Sequence, residues 1–152
     1  DKDINIYLLL TSYRVIRQKM GDIIIVVKPH PRENTEFLKH LILENKLENI
    51  VISNEHAAVL AKSAILTISL WTSAVFDSLS LGVPTVEFYK EAEQFRVCEP
   101  EGSMYKKYGI NSVDNENDLS DFIDSVTNKS YTIPKFINDL DKTKDFGFIG
   151  TV

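Results

Sequence analysis

The sequence predicts an α/β fold: a Rossmann-like, doubly wound, mostly parallel sheet with helices on both faces. Three observations lead to this prediction. Strand-like apolar blocks alternate with helix-like amphipathic blocks, which is the pattern of successive βα units. Residues 23–27 form an unbroken β-branched run, as expected for a parallel strand buried on both faces. Gly21 and Gly82 stand where two of the predicted helices should end.

Amphipathic blocks predict the helices. The first block has apolar residues at helical spacing, and the last has them on one face. Asn34 and Asn54 are suitable N-caps for two further helices, and either Thr72 or Ser73 can begin another. The predicted helices cover residues 4–20, 34–46, 54–62, 72–81 and 116–128.

Strands are predicted between these helices. They cover residues 23–27, 49–52, 64–70, 85–88 and, at the edge of the sheet, 110–113. We expect residues 89–108 to form a long charged loop with a short helix. Residues 1–130 are assigned to the nucleotide-binding domain. Residues 131–152 are assigned to a C-terminal tail, whose apolar side chains are expected to pack on a partner domain.

Composition narrows the classes of function. The length of 152 residues suits one domain. The formal net charge of −5 gives no global basic field, so we expect no nucleic-acid partner. Cys98 is the only cysteine, which excludes an intramolecular disulfide and fits a reducing compartment. No apolar run reaches the roughly 20 residues that cross a bilayer. We therefore expect a cytoplasmic protein and, because the chain lacks an initiator Met, part of a longer one.

The first candidate site follows the strand at residues 23–27. Pro29 and Pro31 restrict the backbone on both sides of His30, so the imidazole is held in a stiff, non-helical turn. In a sheet of this kind ligands bind beyond the carboxyl ends of the strands. There His30 can hydrogen-bond a phosphate or nucleotide, and Lys28 and Arg32 can add positive charge. The alternative is an exposed strand exit with two turn prolines and an incidental histidine.

The second candidate site is the junction at residues 69–73, where a strand end passes into a helix start. Backbone N–H groups at such a junction attract anions, and the Thr72 and Ser73 hydroxyls can add hydrogen bonds. Ser69 and Trp71 belong to the same segment and are included in the predicted substrate site. The alternative is ordinary N-capping by Thr72 or Ser73, which can use the same donors as phosphate binding.

Glu87 interrupts an apolar strand near its carboxyl end. An acidic side chain at this position can accept hydrogen bonds from ribose hydroxyls, although it can also be a solvated carboxylate at a strand exit. The spacing of His, Cys, Asp and Glu predicts no metal site, and there is no glycine-rich phosphate loop. We expect no cofactor, and we place His40 and His56 on the surface.

Together, residues 26–33, 66–77 and 81–89 resemble the C-terminal half of GT-B-type glycosyltransferases. The resemblance is to bacterial capsule and surface-polysaccharide transferases, including the polysialyltransferase, capsule-synthesis and CDP-glycerol glycerophosphotransferase groups. It implies that His30 and Pro31 line the nucleotide pocket and that Thr72 and Ser73 hold the phosphates. By the same resemblance, Glu87 lies near the ribose.

The resemblance implies an incomplete glycosyltransferase, the donor-binding half of an enzyme of bacterial surface-polysaccharide synthesis. Its donor would be a CMP-, CDP- or UDP-linked sugar, with His30 as the catalytic residue that stabilises the departing nucleotide. The general base is expected in a missing N-terminal acceptor domain. The enzyme is expected to associate peripherally with the inner face of the bacterial membrane. Two alternatives remain open: a UDP-N-acetylglucosamine 2-epimerase-like or CDP-polyol phosphotransferase-like enzyme, and a non-catalytic nucleotide-binding or interaction domain.

Overall fold

The computed structural model describes residues 2–70, 72–90, 103–132 and 134. In these ranges helices and short strands alternate along the chain. The helices are α1 (Lys2–Met20), α2 (Thr35–Glu44), α3 (Ala57–Lys62), α4 (Ala74–Ser80), a 3₁₀ helix (Met104–Tyr108) and α5 (Glu116–Thr127). The strands are β1 (Ile25–Val27), β2 (Ile50–Ile52), β3 (Thr67–Ser69), β4 (Thr85–Phe88) and β5 (Ser112–Val113).

The strands form two small sheets in which every described pair is parallel. In the first sheet β1 pairs with β2, with Val26 opposite Val51. The second has the order β3-β4-β5 and aligns Ser69, Glu87 and Ser112 across its three strands. An α/β fold with parallel strands is therefore confirmed. The single predicted sheet is replaced by two, because no ladder joins β1 to β3 among the described residues.

One hydrophobic core serves both sheets. Leu8 and Val15 of α1, Val86 and Phe88 of β4, and Leu119 and Ile123 of α5 form its buried centre. Ile25 of β1 and Ile68 of β3 pack against the same cluster. Each fully buried aliphatic or aromatic side chain contributes about 1.5–3 kcal/mol to folding. This shared core therefore holds the first sheet against the second without a ladder between them.

Local signals position the helices that flank the predicted sites. The side chain of Asn34 accepts hydrogen bonds from the N–H groups of Glu36 and Phe37 at 3.0 and 3.4 Å, so the predicted N-cap of α2 is confirmed. Gly82 follows α4 with a φ of +74°, a conformation that favours glycine. The helix predicted after Asn54 instead begins at Ala57, because the Nδ1 atom of His56 accepts from the N–H of Ala58 and provides the cap.

The first sheet is covered on only one face. Ile25 packs against the core, whereas its neighbours Ile24 and Val26 are 65% and 46% exposed and Val51 is 50% exposed. The prediction that residues 23–27 form a strand buried on both faces is therefore wrong. Side chains alternate along a strand, and only the face that carries Ile25 packs against the core cluster.

Two further expectations concern the second half of the chain. The short helix expected within residues 89–108 is the 3₁₀ helix, while residues 91–102 lie outside the described ranges. Most of the tail at residues 131–152 also lies outside them, so its expected packing on a partner domain stays a prediction. Among the described residues no helix is both long and apolar enough to span a membrane.

Candidate functional site

A closed turn follows β1 and carries His30. The N–H of Glu33 donates to the carbonyl oxygen of His30 at 2.8 Å, and the N–H of His30 donates to the Glu33 carboxylate at 2.9 Å. Pro29 is buried beneath the turn, whereas Pro31 is exposed. These two hydrogen bonds and two prolines hold the backbone around His30 in one conformation.

The hydrogen bonds of the turn also define the chemistry of the His30 imidazole. Its Nδ1 atom accepts from the N–H of Arg32 at 3.2 Å. An acceptor nitrogen carries no proton, so the neutral ring has its proton on Nε2. Because His30 is exposed, this Nε2–H group can donate a hydrogen bond to a ligand oxygen.

Two cationic side chains flank His30. The Lys28 ammonium group donates to the carbonyl oxygen of Asn54 at 3.4 Å, which directs it toward the loop after β2. The Arg32 guanidinium is exposed and has no hydrogen bond or ion pair with any other described residue. The turn thus presents the His30 imidazole donor and the exposed Arg32 guanidinium to solvent, with the Lys28 ammonium held close to β2.

The junction after β3 is organised by Ser69 and Thr72. The Ser69 hydroxyl donates to the carbonyl oxygen of Thr72 at 3.0 Å, and the Thr72 hydroxyl accepts from the N–H of Ala74 at 3.3 Å. Thr72 therefore supplies the cap of α4. Ser73 lies in the αR region and makes no side-chain cap bond, so its exposed hydroxyl remains open to solvent. Trp71 lies outside the described residues.

Glu87 is fully buried at 0% exposure. The Ser103 hydroxyl lies 2.6 and 2.7 Å from its two carboxylate oxygens, and the Ser112 hydroxyl donates to one of them at 2.9 Å. Burial raises the pKa of Glu87, and the hydrogen bonds from Ser103 and Ser112 offset part of that rise. The carboxylate is thus internal rather than solvated, and contact with a ribose requires exchange of its serine partners.

Ser103 and Ser112 were not singled out from the sequence. They lie 16 and 25 residues beyond Glu87 and reach it only through tertiary structure. Ser112 stands opposite Glu87 in the register of β4 and β5. Ser103 caps the 3₁₀ helix by accepting from the N–H of Tyr105 at 3.2 Å. No local sequence signal marks either contact, because both depend on which strands become neighbours.

The predicted site residues thus fall into two groups. His30 and Arg32 belong to one turn after β1, which Glu33 closes, whereas Ser69 and Glu87 lie opposite each other in the second sheet. Within the described part of the chain, no hydrogen bond or strand register links these two groups. The same residues contain no set of three or more His, Cys, Asp or Glu side chains placed to hold a metal ion.

Comparison of the chain with protein-family models, curated proteins and solved structures finds no match. The assignment of a function therefore depends on the chemistry of the described residues and on the motif resemblance.

Proposed function

We propose that this chain is the Rossmann-like nucleotide-binding domain of a GT-B-type glycosyltransferase. Its substrate would be a CMP-, CDP- or UDP-activated sugar used in bacterial surface-polysaccharide synthesis. The observation that supports this most strongly is the His30 turn. It offers a pre-oriented Nε2–H donor and the exposed Arg32 guanidinium directly after a parallel strand. Both groups suit a phosphate, which is an anionic acceptor.

In the proposed reaction, negative charge grows on the nucleotide as the bond to the sugar breaks. The His30 Nε2–H group stabilises that charge by hydrogen bonding, and the Arg32 guanidinium adds a cationic contact. Because the turn is fixed by two hydrogen bonds and two prolines, little reorganisation accompanies donor binding. A hydrogen bond to a charged group contributes about 1.5–3 kcal/mol. The open hydroxyl of Ser73 is a further donor for a phosphate oxygen.

The remaining parts of the enzyme would come from a second domain. We assign the acceptor site and the general base to that N-terminal domain, and His30 to the leaving-group side of the reaction. We also propose that the enzyme acts at the inner face of the bacterial membrane, where it associates as a peripheral protein.

Nucleotide titration tests the proposal. Isothermal calorimetry of the chain with CMP, CDP, UMP and UDP should detect binding to at least one of them. Replacing His30 by alanine should weaken that binding about 10- to 100-fold, the loss of one charge-assisted hydrogen bond. His40→Ala is the matched control, because His40 is exposed on α2 outside the turn. Equal affinities for wild type and His30→Ala would contradict the assignment of His30 to the nucleotide site.

A further inference from the structure

Two histidines stand at the carboxyl end of the first sheet, each in a turn just beyond a strand. His30 follows β1 and His56 follows β2, and both residues are exposed. The ends of these parallel strands are neighbours, because the N–H of Ser53 donates to the carbonyl oxygen of Val27 at 3.0 Å. The two histidine turns therefore begin from adjacent positions at one end of the sheet.

Each turn is closed by the same kind of hydrogen bond. The His30 Nδ1 atom accepts from the N–H of Arg32 at 3.2 Å, and the His56 Nδ1 atom accepts from the N–H of Ala58, also at 3.2 Å. Asn34 makes the corresponding bond, to the N–H two residues on, with its amide oxygen. An amide oxygen stays an acceptor across the physiological pH range, whereas an imidazole nitrogen stops accepting when it gains a proton. Closure of both histidine turns therefore depends on neutral imidazoles.

A glutamate carboxylate lies beside each imidazole. The N–H of His30 donates to the Glu33 carboxylate at 2.9 Å, and the N–H of His56 donates to the Glu55 carboxylate at 3.3 Å. A protonated imidazole in either turn thus has an anionic neighbour. Among the described residues, no ion pair links either turn to another part of the chain. The cationic side chains at this end of the sheet are Lys28, which donates to the carbonyl oxygen of Asn54, and Arg32.

We propose that the two histidine turns form an acid-sensitive switch at the carboxyl end of the first sheet. When the imidazoles are neutral, both Nδ1 atoms accept a backbone N–H and both turns are closed. Protonation makes Nδ1 a donor, so the N–H groups of Arg32 and Ala58 lose their acceptors and the turns open. The two cationic and two acidic side chains of these turns balance, so protonation of His30 and His56 gives this end of the sheet two additional positive charges. The switch involves no ligand and therefore goes beyond the proposed nucleotide binding.

Amide hydrogen exchange measured by NMR between pH 5 and pH 8 tests the switch, because histidine changes its charge in this range. Rates are corrected for the intrinsic pH dependence of exchange. The Arg32 and Ala58 amides of the wild type should then be about fivefold less protected at pH 5 than at pH 8, the order of one lost capping bond. The Glu36 amide, which donates to the Asn34 side chain, is an internal control and should keep its protection.

A double variant with His30→Asn and His56→Asn provides the matched control. The Oδ1 atom of asparagine takes the position of Nδ1, so the acceptor is kept and the titration is removed. The Arg32 and Ala58 amides of this variant should be equally protected at both pH values. His40→Asn alters an exposed histidine of α2 and should respond to acid like wild type. The proposal is overturned if the wild-type amides keep their protection at pH 5, if only one turn responds, or if the double variant loses protection as wild type does.

Discussion

Replacing Glu87 by glutamine tests how the protein holds a fully buried carboxylate. Burial raises the pKa of Glu87, so the folded state binds this proton more tightly than the unfolded state does. The stabilisation that follows from this is fully present below the unfolded pKa of about 4.3. It is lost as the pH rises through the higher folded pKa, because ionisation then occurs inside the protein.

Glutamine preserves the shape of the side chain and removes its ionisation. Its carbonyl oxygen can still accept from Ser103, and its amide group can donate to the Ser112 hydroxyl. We expect Glu87→Gln to be at least as stable as wild type at pH 8. Alanine removes both hydrogen bonds and leaves a cavity, so Glu87→Ala should lose about 2–4 kcal/mol of unfolding free energy.

The assay is urea denaturation followed by circular dichroism at several pH values between 4 and 8. The difference in unfolding free energy between wild type and Glu87→Gln reports the contribution of Glu87 ionisation. We expect the variant to gain stability relative to wild type as the pH rises. Glu44→Gln is the control, because Glu44 is exposed on α2. A Glu87→Gln protein as unstable at pH 8 as Glu87→Ala would refute the reasoning, since it would mean that the negative charge itself stabilises the fold.

Three further substitutions test other local claims, each by urea denaturation. Ser103→Ala removes the hydroxyl that contacts both oxygens of Glu87 and should cost about 1–3 kcal/mol at neutral pH; a loss near zero would contradict the assigned bond. Asn34→Ala removes the cap of α2 and should cost about 1 kcal/mol, which Asn34→Asp should largely restore. Gly82→Ala places a Cβ atom at a φ of +74°, and apart from the two chain neighbours no described residue has an atom within 4 Å of it. The backbone conformation alone should therefore cost about 1 kcal/mol.

Much of the secondary structure was predictable because its signals are local. The strand-forming residues Thr85, Val86 and Phe88 and the glycines after α1 and α4 influence only the backbone within a few residues of their own positions. The α3 cap was misplaced because Asn54 is the commoner capping residue, whereas the structure uses the imidazole of His56. The burial of residues 23–27 was mispredicted for a different reason. Sequence shows that a strand is apolar on both faces but not which face a helix covers.

In the candidate site, too, some features follow from local sequence and others depend on contacts made only in the folded chain. The stiffness of the His30 turn was predictable, because Pro29 and Pro31 restrict the backbone wherever they occur. The tautomer of His30 was not, because it depends on a hydrogen bond from Arg32 that exists only once the turn closes. The environment of Glu87 was the least predictable feature, since Ser103 and Ser112 approach it from other parts of the chain.

The central claim is that His30 presents an Nε2–H donor to the phosphate of a nucleotide. Two-bond ¹H–¹⁵N correlation spectra of ¹⁵N-histidine-labelled protein report the protonated nitrogen of each imidazole directly. At a pH where the ring is neutral, His30 should show the Nε2–H form. Addition of CDP or UDP should shift its Nε2 resonance while those of His40 remain in place. An Nδ1–H tautomer at His30, or a nucleotide that binds without changing its Nε2 resonance, would contradict the claim.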